Sequence, residues 1–301
     1  MPSRRLFTLR FAICLLLALA QTGFQQTAHA ANDRGLFYRA ELDGVKIYLL
    51  GSIHLGDDSM YPLRREMETA FTQADTLVVE LDVNHIDSAH VAEWMQQHGN
   101  YPQGETLRDH ITPQTWQRLS SYLKAHNIDP TLVQQQKPGL LVNVLTMTQL
   151  ANNGLSPSLG IDQHFLLNAD KTKKPVRELE TVEGQLSLLI EMPNGDRLIN
   201  QTLDEIKDLK TEADDLFGAW KKGDTAQLEP MVMKELMGDD DESRAFFARI
   251  YTQRNHEMTT HIVEFSKTDK TLFVVVGAAH LLGDEGIVAL LKKNGFKVEQ
   301  Q

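Results

Sequence analysis

Two stretches, "LLGSIHLGDD" at residues 49–58 and "FVVVGAAHLLGDEG" at 273–286, share one pattern more than two hundred residues apart. In each, an apolar run ends in a glycine (Gly51, Gly277), and a histidine follows three positions later (His54, His280). Short apolar runs of this kind read as strands buried on both faces. A buried strand turns sharply with least strain where no Cβ obstructs it, so glycine marks each strand end. Each histidine then falls just past the carboxyl end of its strand, where open α/β sheets bind their ligands. If the two strands are neighbours, about 4.8 Å apart, both imidazoles reach one metal ion or one substrate. Alone, either histidine reads as a polar loop residue bonded to a helix end. Two copies in the same strand-to-helix context favour function.

The surrounding sequence supplies the rest of such a sheet. "LFYRAEL" and "KIYLLG" flank Asp43-Gly44, a strong two-residue hairpin signal. "PLRREMETAFTQA" puts Leu63, Met67, Ala70 and Phe71 on one helical face, and "DTLVVELD" reads as a short buried strand. Strand, helix, strand in this order predicts a parallel pair with a right-handed crossover. From His85 to about Gly154 the pattern is helical and broken by prolines. After a helix in "GIDQHFLLNADKTKK" comes the strand "PVRELE", then a helical block. There Ile199, Leu203, Ile206, Leu209, Ala213, Leu216 and Trp220 step by threes and fours, as packed core does. "GDDDES" at 238–243 reads as the end of one helix and the N-cap of the next, Ser243 or an Asp. One long helix, "SRAFFARIYTQRNHEMTTHIVEFSK", precedes the strand "TLFVVVG", the helix "EGIVALLKKNG" and the last strand "FKVEQ".

The expected fold is α/β: a central mixed, largely parallel sheet built from two β-α-β half-repeats, with a large helical insertion. It occupies residues 31–301 as a single domain, with helical insertions at about 85–155 and 185–265.

Residues 1–30 stand apart. "MPSRRLFTLR" is basic, "FAICLLLALA" is apolar but far short of the roughly twenty residues that span a bilayer, and "AHA" fits a cleavage site. A signal peptide cut after Ala30 is expected, giving a periplasmic or secreted protein. "SRRLF" also matches a twin-arginine signal, although the leucine-rich core favours the general secretory route. Cleavage removes Arg4, Arg5 and Arg10 and no acidic residue, taking the net charge from -11 to -14. Such a surface repels nucleic acid and anionic membrane, which leaves peptides, small molecules or metal cations as partners. The single cysteine, Cys14, lies in the signal, so any metal site in the mature chain has nitrogen and oxygen ligands.

Carboxylates occur at matching places. Glu80 follows "TLVV" and Glu180 follows "PVREL", so both fall at the edge of the sheet that carries His54 and His280. Two histidines with one or two carboxylates suit Mn, Fe, Co or Zn. Glu80 reads alternatively as a helix cap or the partner of an arginine. Asp82 and Asp162 read first as N-caps. "HEMTTH" imitates a zinc-protease helix, but His256 and His261 are five apart, about 140° around a regular helix, and cannot share a metal. Beside them Arg254 is a candidate to stabilise an oxyanion or hold a substrate carboxylate, or else to form a structural ion pair. His85, His90, His98, His110, His126 and His164 share no spacing and receive no role. No serine-nucleophile elbow, phosphate loop or dinucleotide fingerprint is present.

Taken together, "LLGSIHLG", "LVVELD", "GIDQHFLLNADKTKKPVRELETVEGQ", the late "RN" and "VVVGAAHLLGDEGIVALLKKNGFKV" resemble the TraB/GumN family, in its bacterial exported branch. The resemblance covers almost all of residues 31–301. It implies kinship with TIKI metalloproteases, erythromycin-esterase-like proteins and ChaN-like haem-binding proteins, and active-site roles for His54, Glu80, Arg254 and His280. The expected function is an exported metal-dependent hydrolase, foremost a peptidase. His54 and His280, with Glu180, would hold a divalent metal (Mn, Co, Fe or Zn), Glu80 would move the proton, and Arg254 would steady the oxyanion. The alternative is a non-catalytic periplasmic protein that binds metal, haem or peptide.

Overall fold

Strands β1 (Phe37–Leu42) and β2 (Val45–Ser52) form the antiparallel hairpin that Asp43-Gly44 predicts. Both loop residues have positive φ, 50° and 82°, the geometry that matches a two-residue turn to strand twist. The computed structural model describes residues 34–236 and 240–301. The expected signal segment lies outside them. The other strands are β3 (Thr76–Val79), β4 (Val176–Glu178), β5 (Thr271–Gly277) and β6 (Lys297–Gln300). The sheet order is β4-β3-β5-β2-β1-β6. β4, β3, β5 and β2 run parallel, while β1 is antiparallel to both β2 and β6.

This is a mixed, mostly parallel α/β sheet, with one correction to the expected pairing. β2 and β3 are parallel but not neighbours, because β5 lies between them. The reason is burial. β5 is the most continuously apolar strand, and Leu272 through Val276 are all at most 1% exposed. Only the middle of a sheet covered on both faces accommodates such a strand. The two strand-helix-strand units therefore interleave: β5 enters the gap of the first, and β6 closes the far edge beyond β1.

Contacts divide the described chain into two compact units. The first holds the sheet, with residues 34–85, 154–181 and 214–301. Its core gathers around Phe273 of β5, whose ring lies 5.7 Å from Phe71 in the helix Arg65–Gln73 and 4.7 Å from Phe165 in the helix Ile161–Thr172. The second unit, residues 86–153 and 182–213, is helical. Thr112 caps the helix Pro113–Ala125, and Leu119, Leu123, Leu141, Leu198 and Ile199 are buried in it. A Cβ on Gly139 would lie 1.8 Å from the Leu189 carbonyl oxygen, so glycine permits that helix contact.

The apolar stripe from Ile199 to Trp220 runs over two helices, Gly195–Glu205 and Leu209–Lys222, and the cap residue Ile206 between them, and all but Leu203 of its seven residues are buried. Asp240 is the N-cap of the helix Asp241–Phe247, accepting from the Ser243 N–H. The long late helix contains one irregularity, a π-helical segment Ala248–Gln253 immediately before the helix Arg254–Phe265. Among the described residues no helix is long and apolar enough to cross a membrane.

Candidate active site

β2 and β5 are parallel neighbours, paired Gly51 with Val276 and Ser52 with Gly277. The two Gly-x-x-His turns thus leave the same sheet edge one residue out of step. Their glycines serve different ends. A Cβ on Gly51 would meet Leu36 Cβ at 2.9 Å and Ala278 Cα at 3.1 Å, so this position needs room for close packing. A Cβ on Gly277 would meet Glu80 Oε1 at 3.3 Å, His54 Nε2 at 3.4 Å and the His280 ring at 3.6 Å. The two histidines and Glu80 therefore face one point, and the missing side chain of Gly277 keeps that point open.

Glu80 reaches it because the β3–β4 pairing continues past both strands. Leu179 N–H donates to the Val79 carbonyl at 2.9 Å and Glu180 N–H to the Glu80 carbonyl at 3.1 Å. Glu80 and Glu180 are therefore adjacent, and both are bonded to Arg254. Its Nε and Nη2 donate to the two oxygens of Glu180 at 2.6 and 2.7 Å, and Nη2 also donates to Glu80 Oε2 at 3.1 Å. Nη1 donates to the Ile250 carbonyl, one turn back across the π-helical segment. Glu80 Oε1 accepts from Gly277 N–H at 2.6 Å. Every nitrogen of Arg254 is thus bonded within the protein, and Glu180 gives both carboxylate oxygens to the guanidinium.

The two histidines are held by different partners. His54 Nδ1 lies 2.9 Å from Asp162 Oδ1, which also accepts from Ser52 Oγ at 2.5 Å. The N-cap reading of Asp162 is overturned: Gly160 occupies the cap, and Asp162 sits in the first turn with its side chain on Ser52 and His54. A Cβ on Gly160 would lie 2.3 Å from the His54 carbonyl oxygen, which explains a glycine at a cap. His280 Nδ1 instead meets Asn255 Oδ1 at 2.6 Å. Asp82 bonds His85, at 2.8 Å. Of these groups, sequence reasoning missed Ser52, ranked Asp162 below Glu80 and Glu180, and singled out Asn255 beside Arg254 without giving it a role. The cap glycine of "GID", which leaves the following carboxylate uncommitted, was the available signal for Asp162.

Electrostatics separate the pair further. Burial works to lower His54, but Asp162 and then Glu80 outweigh it and Arg254, and its pKa rises from 6.5 to about 9. Burial, then Arg254, pushes His280 down to about 3 against the opposing pull of Glu80. Burial acts to raise Asp162, yet His54 and Ser52 hold it below the usual carboxylate range. Nε2 of both histidines is buried and has no hydrogen-bond partner. Among the described residues, no group of three or more His, Cys, Asp or Glu stands arranged to hold a metal ion. Glu80 Oε1 lies 3.8 Å from His280 Nε2.

Four other histidines bond carboxylates away from this cluster: His85 with Asp82, His90 with Glu183, His110 with Glu105 and His164 with Glu68. His256 bonds Glu285 at 2.6 Å and His261 the Leu179 carbonyl at 3.0 Å, so the two share no ligand.

A mostly parallel α/β sheet with paired Gly-x-x-His turns and buried carboxylates at its carboxyl edge defines the class of protein. Within that class the chain belongs to the TraB/PrgY/gumN family, whose model matches residues 36–300. It is 27% identical over 253 residues to the uncharacterized protein YbaP of Escherichia coli, covering 81% of this chain and 87% of that one. It is 23% identical over 304 residues to the metalloprotease TIKI2 of Xenopus tropicalis and 22% identical over 308 to a metalloprotease TIKI homolog of Nematostella vectensis. Both of those matches cover 84% of this chain, but only 57% and 64% of the relatives. No solved structure matches the chain.

Proposed function

We propose that this chain is an exported metal-dependent peptidase whose site is the cluster at the carboxyl ends of β2, β3 and β5. One observation carries the reading: His54 Nε2, Glu80 and the His280 ring face the space kept open by Gly277, and Nε2 of each histidine is buried without a partner. A buried, unsatisfied polar group costs about 1–3 kcal/mol, and a shared cation relieves both. The donor set fits one. Metal-free, His54 carries a proton; an ion that displaces it leaves Glu80, Glu180 and Asp162 exceeding Arg254 by two negative charges, which a divalent ion balances. Nitrogen and carboxylate donors suit Mn, Co, Fe or Zn.

His54 and His280 would hold the ion. Bound there, it supplies a Lewis acid that lowers the pKa of water from about 15.7 towards about 7. Glu80 accepts a proton at Oε1 and returns it to the leaving amine. Gly277 N–H and Arg254 keep the Glu80 carboxylate turned towards the site. Arg254 and Glu180 act as the brace for Glu80, since the guanidinium's bonds to protein oxygens leave it poorly placed for an oxyanion. Asp162 orients His54, a carboxylate–histidine pairing common behind metals. The peptide class is supported by the relatives named metalloproteases. The basic and apolar leader in residues 1–30 supports action outside the cytoplasm.

The test is metal content by mass spectrometry on residues 31–301, produced with Mn, Co, Fe and Zn available, beside His54→Ala and His280→Ala. One ion per chain, lost in both variants, supports the shared site. Stoichiometric metal indifferent to both changes sinks it. Metal binding without hydrolysis of any member of a peptide library would make the chain a binding protein instead.

A further inference from the structure

Asn255 is fully buried one residue after Arg254, and every hydrogen-bond direction around it is forced. Its Nδ2 donates to the Glu285 carbonyl at 2.9 Å. A carbonyl only accepts, so the amide nitrogen must face Glu285 and the amide oxygen must face His280. That oxygen lies 2.6 Å from His280 Nδ1, and it too only accepts, so the imidazole proton must sit on Nδ1. The opposite nitrogen, Nε2, then carries its lone pair towards the buried side shared with Glu80. Tyr251 steadies the ring plane, lying 11° from parallel to it with centroids 6.5 Å apart and its hydroxyl bonded to the Leu282 carbonyl.

Resting on the metal reading above, we propose that Asn255 is a positioning residue: its carboxamide fixes the proton of the neutral His280 ring on Nδ1, so that Nε2 presents its lone pair. The contrast with His54 gives the choice of residue a physical meaning. Asp162 offers His54 only acceptor oxygens, whereas the Asn255 amide accepts at Oδ1 from His280 and donates at Nδ2 to the Glu285 carbonyl, so its orientation is fixed at both ends. An aspartate at 255 would keep the acceptor for Nδ1 but lose the donor to Glu285.

The test uses residues 31–301 labelled with 15N-histidine, with His280 assigned by its loss in His280→Ala and Co2+ as the metal probe. Metal-free wild type should show His280 as the Nδ1–H tautomer, and Asn255→Asp, whose carboxylate also only accepts, should keep the proton on Nδ1. Asn255→Leu should release the ring to the Nε2–H form and weaken Co2+ binding about 10- to 100-fold, the range for partners behind a metal ligand. His280 as Nε2–H in wild type, or an Asn255→Leu protein unchanged in both tautomer and affinity, overturns the proposal. If Asn255→Leu does not fold, the wild-type and Asn255→Asp spectra decide it. The expected tautomers with no Co2+ binding in any protein would uphold the role of Asn255 and discard the metal reading.

Discussion

Glu80 and Glu180 leave adjacent strand ends and share one arginine, yet only Glu80 faces the histidines. Glu80→Gln should therefore keep bound metal and lower peptide turnover by about 10²- to 10⁴-fold, the scale of a lost acid–base group. Mass spectrometry and a turnover assay on one preparation check this; loss of metal would make Glu80 a ligand. The two histidines also predict opposite pH limits on the stability of the metal-free protein. His54 is raised to about 9, so its contribution is complete below pH 6.5 and is lost as pH rises through 9. His280 is depressed to about 3, so below pH 6.5 the unfolded chain takes up a proton that the folded chain refuses, and stability falls towards pH 3. Thermal melts should thus peak near pH 6.5, and Asp162→Asn should flatten the alkaline limb. An alkaline limb that survives in Asp162→Asn would remove His54 as its source.

At the scale of elements, the two strand ends make a paired test of what each glycine does. Gly277 has a negative φ, -50°, so alanine suits its backbone but would intrude on the cluster. Gly277→Ala should melt close to wild type and lose metal affinity at least about tenfold, as displaced ligands do. Gly51→Ala would press on Leu36 and on the Ala278 backbone, an overpacking expected to cost about 1–3 kcal/mol. Equal melting losses in the two variants would refute this division. Arg254 follows the π-helical segment, a feature often found at functional sites, and it bonds two carboxylates. Arg254→Met should cost about 3–5 kcal/mol because it strands buried charge. Adding Glu180→Gln should recover part of that loss in denaturant titrations; no recovery would mean that the arginine stabilises by packing.

For the whole molecule, metal and fold should be linked. Free Co2+ at a hundredfold above its Kd should stabilise the protein by about 2.7 kcal/mol, visible as a rise in Tm that chelator reverses. His54→Ala and His280→Ala should show no such rise. Much of this organisation is local and was legible in order along the chain. Apolar runs ending in glycine marked β2 and β5, Asp43-Gly44 marked the hairpin, and the carboxylates after "TLVV" and "PVREL" marked the same sheet edge. These signals survive in sequence because each depends on neighbours within a few residues: pattern period, turn chemistry and the obligatory direction of a parallel strand. Which strands touch is not local. Insertion of β5 between β2 and β3 follows from burying the most apolar strand on both faces, a property of the assembled sheet. The partners of the site are equally distant in sequence, Asp162 lying 108 residues from His54 and Arg254 174 residues from Glu80. The sequence by itself determined the α/β class, the strand ends and the residue types gathered there. Only the tertiary structure decided that Glu80 faces the histidines while Arg254 claims Glu180, and that Asp162 and Asn255 hold the two rings, because those choices depend on side-chain direction across strands and helices that meet only in the folded chain.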